Sequence, residues 1–120
     1  MDCLNKYTQF LGKELEVIID RPLGGKHPTL DFVYEVNYGF VPETEAGDGH
    51  EIDVWVLGVD EPVTRYTAKC IAVIIRHNDN ENKLVLSSVS QTREQVMNKI
   101  GFVENYYQTE ILFFDKQDQK

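Results

Sequence analysis

Residues 45–58 read EAGDGHEIDVWVLG: acidic groups at Glu45, Asp48, Glu51 and Asp53 gather around a glycine turn, and the chain then turns apolar. The run IDVWVLGV (52–59) is interrupted only by Asp53, which predicts a strand packed on both faces. Side chains alternate along a strand, so Glu51, Asp53 and Trp55 share one face while His50, Ile52 and Val54 share the other. An ionised carboxylate at the mouth of such a strand is unfavourable unless it is paired, hydrogen-bonded or metal-bound. Two readings stay open from this stretch: a solvated acidic turn that caps a strand, or a divalent-metal site.

The flanking sequence supplies the rest of the architecture. LEVII (15–19) ends at Asp20-Arg21-Pro22 and predicts a strand running into a turn, while PLGGKHP (22–28) predicts a loop. DFVYEV (31–36) is expected as a second strand, with NYGFVP (37–42) as an irregular corner after it. KCIAVIIRH (69–77) and KLVLSS (83–88) flank the turn NDNEN and read as a hairpin. In TREQVMNKIGFVENYY (92–107) the apolar period lengthens through Val96, Ile100, Val103 and Tyr107, predicting an amphipathic helix whose Thr92 and Gln95 form a capping box. ILFF (111–114) suits a last strand, and a short helix to Gly12 opens the chain. Together these predict one domain over 1–120, mainly β with helix (α+β): a small closed five-stranded OB-like antiparallel barrel with one C-terminal helix packed against it.

Composition narrows the partners. With twelve basic against twenty acidic residues and a net charge of −8, the chain lacks the basic patch of a nucleic-acid binder, and no strand shows an interleaved aromatic and basic face. No apolar run approaches the ~20 residues needed to span a bilayer, and MDCLNKYTQF lacks the basic and apolar regions of a signal peptide. A cytoplasmic protein with neither nucleic acid nor membrane as partner is expected. Cys3 and Cys70 stand in no metal-ligand spacing and read as reduced thiols.

Two more acidic spots sit at strand ends. Asp20 closes the first strand with Arg21 and Lys26 nearby, and the hairpin turn carries Asp79 and Glu81 ahead of Lys83. Each alone is an ordinary polar turn. Three acidic strand ends, each beside a lysine or arginine, suit an oxyanion held through metal: carboxylates take the cations and lysines take phosphate oxygens.

YEVNYGFVPETEAGDGHEIDVWVLG (34–58) resembles the soluble inorganic pyrophosphatases, whose core reads Tyr-Pro-x-Asn-Tyr-Gly-Tyr, a spacer, then Asp-Gly-Asp-Pro-x-Asp. Residues 15–22, NDNENKLV and FVENYYQ resemble further segments of that family in the same order, so the resemblance spans roughly residues 13–110. It implies metal-dependent hydrolysis of pyrophosphate to two phosphates, with Mg²⁺ as cofactor. By the same resemblance, Asp20, Asp48, Asp53, Asp79 and Glu81 would be metal ligands. Lys26, Lys83, Tyr38 and Tyr106 would contact phosphate, and Tyr34 would support the water network or simply pack. A homo-oligomer is an assembly open to it.

The chain departs from the family's pattern at several points. His50 replaces the middle aspartate, Glu51 replaces proline and is expected to turn away by strand alternation, and Tyr107 replaces a lysine. The segment that should carry a phosphate-binding arginine is shortened, leaving Arg21 as a candidate. His50 has three readings: ligand to a softer metal such as Mn²⁺, Co²⁺ or Zn²⁺, general base, or exposed loop residue. The third leads to an alternative function, binding of phosphate, pyrophosphate or a nucleotide without turnover. His27 and His77 read as surface residues.

Overall fold

The computed structural model of the protein describes residues 5–44, 50–76, 82–104 and 109–114. A short helix α1 (Asn5–Thr8) leads into β1 (Glu14–Arg21), β2 (Asn37–Val41), β3 (Ile52–Leu57), β4 (Arg65–Arg76) and β5 (Lys83–Ser87); helix α2 (Arg93–Glu104) and β6 (Thr109–Phe113) follow. The strands lie in the order β1-β2-β3-β5-β4-β6, and a further β1–β4 pairing closes the first five into the expected barrel. β3 and β5 run parallel while the other pairs are antiparallel, so the closed sheet is mixed.

β4 makes the closure possible. Its first half pairs with β1 and its second half with β6, while β5 lies along the opposite edge. The register slips between Cys70 and Ala72, a bulge that bends and twists the strand at this handover.

The second strand is not where apolar content alone places it. Residues 31–36 form an irregular return, joined to the preceding loop by one Lys26–Val33 bridge and by backbone bonds between Tyr34 and Gly24 and Gly25. The strand is Asn37–Val41 instead. Gly39 explains the shift: a Cβ there would meet the Ile18 carbonyl oxygen at 1.9 Å, so only glycine lets β2 lie this close to β1. Asn37 anchors the entry. Its Oδ1 accepts the Leu23 and Val63 N–H groups and its Nδ2 donates to the Glu61 carbonyl.

Alternation produces two apolar clusters. Val17, Ile19, Val54, Val56, Cys70, Leu84 and Leu86 fill the barrel. Trp55, Leu57, Ala72, Ile74 and Val85 point outward and are covered by Val96 and Ile100 of α2. The helix begins with the expected capping box: Thr92 Oγ1 accepts the Gln95 N–H at 3.0 Å and Gln95 Oε1 accepts the Thr92 N–H at 2.8 Å. No described helix is long and apolar enough to cross a membrane.

Candidate functional site

The candidate site lies on the outward face of the sheet. Val54 and Leu84 are paired across β3 and β5 and point into the barrel, so Asp53 and Lys83, one residue earlier on each strand, meet on the outside. Lys83 Nζ lies 3.4 Å from Asp53 Oδ2 and donates to the Tyr38 hydroxyl at 2.5 Å. Tyr38 reaches this point because it pairs with Trp55, two residues along β3 from Asp53 and on the same face. Lys83 is almost wholly buried whereas the Asp53 side chain is 40% exposed, so the carboxylate is the part a ligand can reach.

Asp20, at the end of β1, belongs to the same electrostatic neighbourhood. Partial burial raises its carboxyl above the ordinary value, Arg21 opposes the shift, and the charges of Asp53 and Glu51 add to it. Glu51 is exposed just before β3, within range for its charge to be felt at Asp20. Tyr38 is pushed well above the usual phenol range, first by burial and then by the neighbouring Asp53 carboxylate. Its hydroxyl stays protonated at any ordinary pH: it accepts from Lys83 and donates toward the Asp53 carboxylate. Burial also raises the Tyr34 hydroxyl, with Arg21 opposing.

The remaining expected residues are distributed as follows. Arg21 is half-buried beside Tyr34 and donates to the Asp20 carbonyl. Lys26 stands exposed on the loop after β1. His50 is exposed and immediately precedes Glu51 and β3. Asp48, Asp79, Glu81 and Tyr106 lie outside the described residues, as does His77. Among the described residues no group of three or more His, Cys, Asp or Glu side chains could hold a metal ion. Asp20 and Asp53 nevertheless offer the oxygen donors that suit a hard divalent cation, and the neighbouring Asp53 charge adds to the raised Asp20 carboxyl in the sense that a cation would relieve.

Glu104 and Arg76, which sequence reasoning passed over, build the wall behind Lys83 together with Trp55. Glu104 is fully buried; it accepts the Trp55 indole N–H at 3.0 Å and the Arg76 guanidinium at 3.2 Å from both Nε and Nη2. The signal was present, because Val96, Ile100 and Glu104 recur every four residues and so occupy one face of the helix. His27 is likewise no simple surface residue. Its Nδ1 accepts the N–H groups of Thr29 and Leu30 at 3.1 and 2.9 Å, and its ring stacks against Tyr34 at 6.1 Å and tilts against Phe32 at 4.9 Å.

Between these side chains lies a cavity of about 150 Å³. Phe32, Tyr34, Tyr38 and Trp55 supply aromatic walls, Leu30 and Val103 aliphatic ones, and Arg76 and Lys83 the charge. A larger groove of about 800 Å³ lies at the other end of the strands, lined by Thr67, Lys69 and the 87–93 segment. It includes neither Lys83 nor Tyr38, so the smaller cavity is the one that adjoins the contact of Asp53, Lys83 and Tyr38.

Comparison with known proteins bears on this arrangement. A family model described as inorganic pyrophosphatase matches residues 14–119. No curated protein sequence matches the chain. Among solved structures, the inorganic pyrophosphatase of Ehrlichia chaffeensis is similar at TM-score 0.68 and 21% identity, over 87% of this chain and 88% of that one. Those of Helicobacter pylori and Thermus thermophilus both align at TM-score 0.58, with 16% and 17% identity. The alignments cover 88% of this chain in each case, and 86% and 84% of the respective relatives. At such identity the structural likeness speaks for the fold.

Proposed function

The chain belongs to the inorganic pyrophosphatase family, and from that premise we propose that it hydrolyses inorganic diphosphate to two phosphates with the help of a divalent metal, in the cytoplasm. The observation that carries this reading is the meeting of Asp53, Lys83 and Tyr38 on one face, with Asp20 close enough to feel the Asp53 charge. Asp20 and Asp53 would hold Mg²⁺ or Mn²⁺, with Asp48, Asp79 and Glu81 as further ligands. Such a cation supplies positive charge against the phosphoryl oxygens of a highly anionic substrate.

The chain's own residues have separable tasks. Lys83, fixed between Tyr38 and Asp53, presents an ammonium group whose orientation is set before substrate arrives. Tyr38, kept protonated, offers a hydroxyl proton to a phosphate oxygen. Lys26 and Arg21, on the loop side, would neutralise the leaving phosphate, and Tyr106 would contact it from the helix end.

The test is phosphate release from pyrophosphate, assayed with Mg²⁺ and separately with Mn²⁺. Release above buffer is expected, falling at least about a hundredfold in Asp53→Asn. A second reading is favoured by His50 standing exposed where the family carries an aspartate. An imidazole cannot bridge two hard cations as a carboxylate does. On that reading the protein binds its anionic ligand without turnover. Saturable calorimetric binding without release under either metal, with release restored in His50→Asp, would replace the first reading by the second.

A further inference from the structure

We propose that the cavity beside Lys83 receives the flat ring of an organic phosphate, a nucleoside diphosphate being the representative ligand; the placement of its phosphates rests on the reading of Asp53 and Lys83 given above. Inorganic pyrophosphate is oxygen and charge throughout, and gains nothing from carbon walls. Yet the cavity that opens beside Lys83 has the aromatic side chains of Phe32, Tyr34, Tyr38 and Trp55 in its lining, with Leu30 and Val103 beside them and charge at Arg76 and Lys83.

Three features favour a ring. At about 150 Å³ the space is below the ~300 Å³ typical of a pocket that holds a whole small molecule. It therefore takes one ring system, with the remainder of the ligand outside. The walls are aromatic rings held in place by one another: Tyr38 and Trp55 lie 4.5 Å apart at 56°, and Phe32 stands edge-on to Tyr34 at 5.2 Å. Aromatic walls of this kind hold a base without demanding a particular one. At the rim, Leu30 is 56% exposed, apolar surface that an incoming ring would cover.

Charge arrangement orients the ligand. Glu104 neutralises Arg76 from behind, so the innermost wall is close to neutral and tolerates a ring. Lys83 faces both the cavity and Asp53, so a phosphate attached to the ring is directed toward the acids and away from the cavity floor. His27 holds the loop that carries Leu30 by accepting two of its backbone N–H groups, which keeps the rim in place.

The experiment compares Mg²⁺-adenosine diphosphate with Mg²⁺-methyl diphosphate by calorimetry on the full chain. The two probes share the diphosphate ester and differ in the ring. Tighter binding of the adenosine compound by at least about tenfold is expected from stacking. Leu30→Asp, at an exposed position that should not disturb folding, and Phe32→Ala should each erase that preference while leaving methyl diphosphate affinity unchanged. Equal affinity for the two probes, or variants that weaken both alike, would overturn the proposal. Pyrophosphate turnover is measured on the same samples. Turnover without ring preference removes this inference alone, and ring preference without turnover removes only the assigned activity.

Discussion

Two ion pairs a few residues apart use the same chemistry to opposite ends. Arg76 and Glu104 are sealed, with side chains 4% and 0% exposed, and the Trp55 indole adds a donor to the same carboxylate. Lys83 and Asp53 are unequal: the ammonium is buried at 4% exposure and the carboxylate is open at 40%. The first pair has spent its charges on each other. In the second, a buried cation is held ready by an acid that still faces solvent, at a longer 3.4 Å separation. A third pair, Arg65–Glu16, lies wholly at the surface with exposures of 63% and 52%. Solvent access, more than distance, separates the sealed pair from the open one.

The largest effect should come from breaking the sealed pair. Glu104→Ala leaves a buried guanidinium and a buried indole N–H without their acceptor, and unfolding free energy should fall by about 3–5 kcal/mol in urea titration. Replacing both partners, as Arg76→Met with Glu104→Leu, should recover most of that loss. Recovery would show that the pair is tolerated, not required; failure to recover would give it a second role in the cavity wall.

Cys70 answers burial without any ion pair, by staying neutral: desolvation pushes its thiol up to about 12 from 9.0. Because the folded value is the higher one, this group's contribution to stability is complete below pH 9 and is lost as pH rises through 12. Thiolate being the reactive form, alkylation of Cys70 in the native protein should be about a thousandfold slower than in urea, read by mass spectrometry. Fast native labelling would mean that the barrel opens there.

Lys83→Met tests the open pair. Asp53 remains solvated, so the melting temperature should barely move, while phosphate release drops by about a hundredfold. A large stability loss would instead make it a second structural pair. Trp55→Phe removes the indole donor to Glu104 and part of a fully buried side chain, and should cost about 2 kcal/mol. Glu16→Ala should change stability by less than about 0.5 kcal/mol and fix the surface end of the scale.

The barrel was legible because its strongest signals are local. Apolar runs bounded by turn residues mark β1, β3, β4 and β5, and the capping box marks the start of α2. The misplaced second strand shows where local signals fail. Aromatic and β-branched residues at 31–36 look like a strand, but those side chains line a cavity, and the pairing segment is decided by the one residue, Gly39, small enough to approach Ile18. Asp20 and Asp53 stood out as acids at the ends of packing strands. Their shared placement on the outer face did not, because it depends on the β1–β2 and β2–β3 registers, just as the approach of Lys83 to Asp53 depends on the β3–β5 register between residues thirty apart in the chain. Glu104 was hidden for a different reason: a glutamate at a helix end reads as solvent-facing until its partner on a distant strand is known.

The parallel pairing of β3 with β5 also orders events in time. β1, β2 and β3 form a meander from neighbouring stretches of chain, whereas β5 reaches β3 only after β4 has crossed over and turned back. Contacts between distant segments form slowly because a long loop must close first. The contact of Lys83 with Asp53 therefore belongs to the longer-range of the two ladders that β3 makes. In refolding it is expected to form after the β1–β2–β3 meander that carries Asp20 and Asp53.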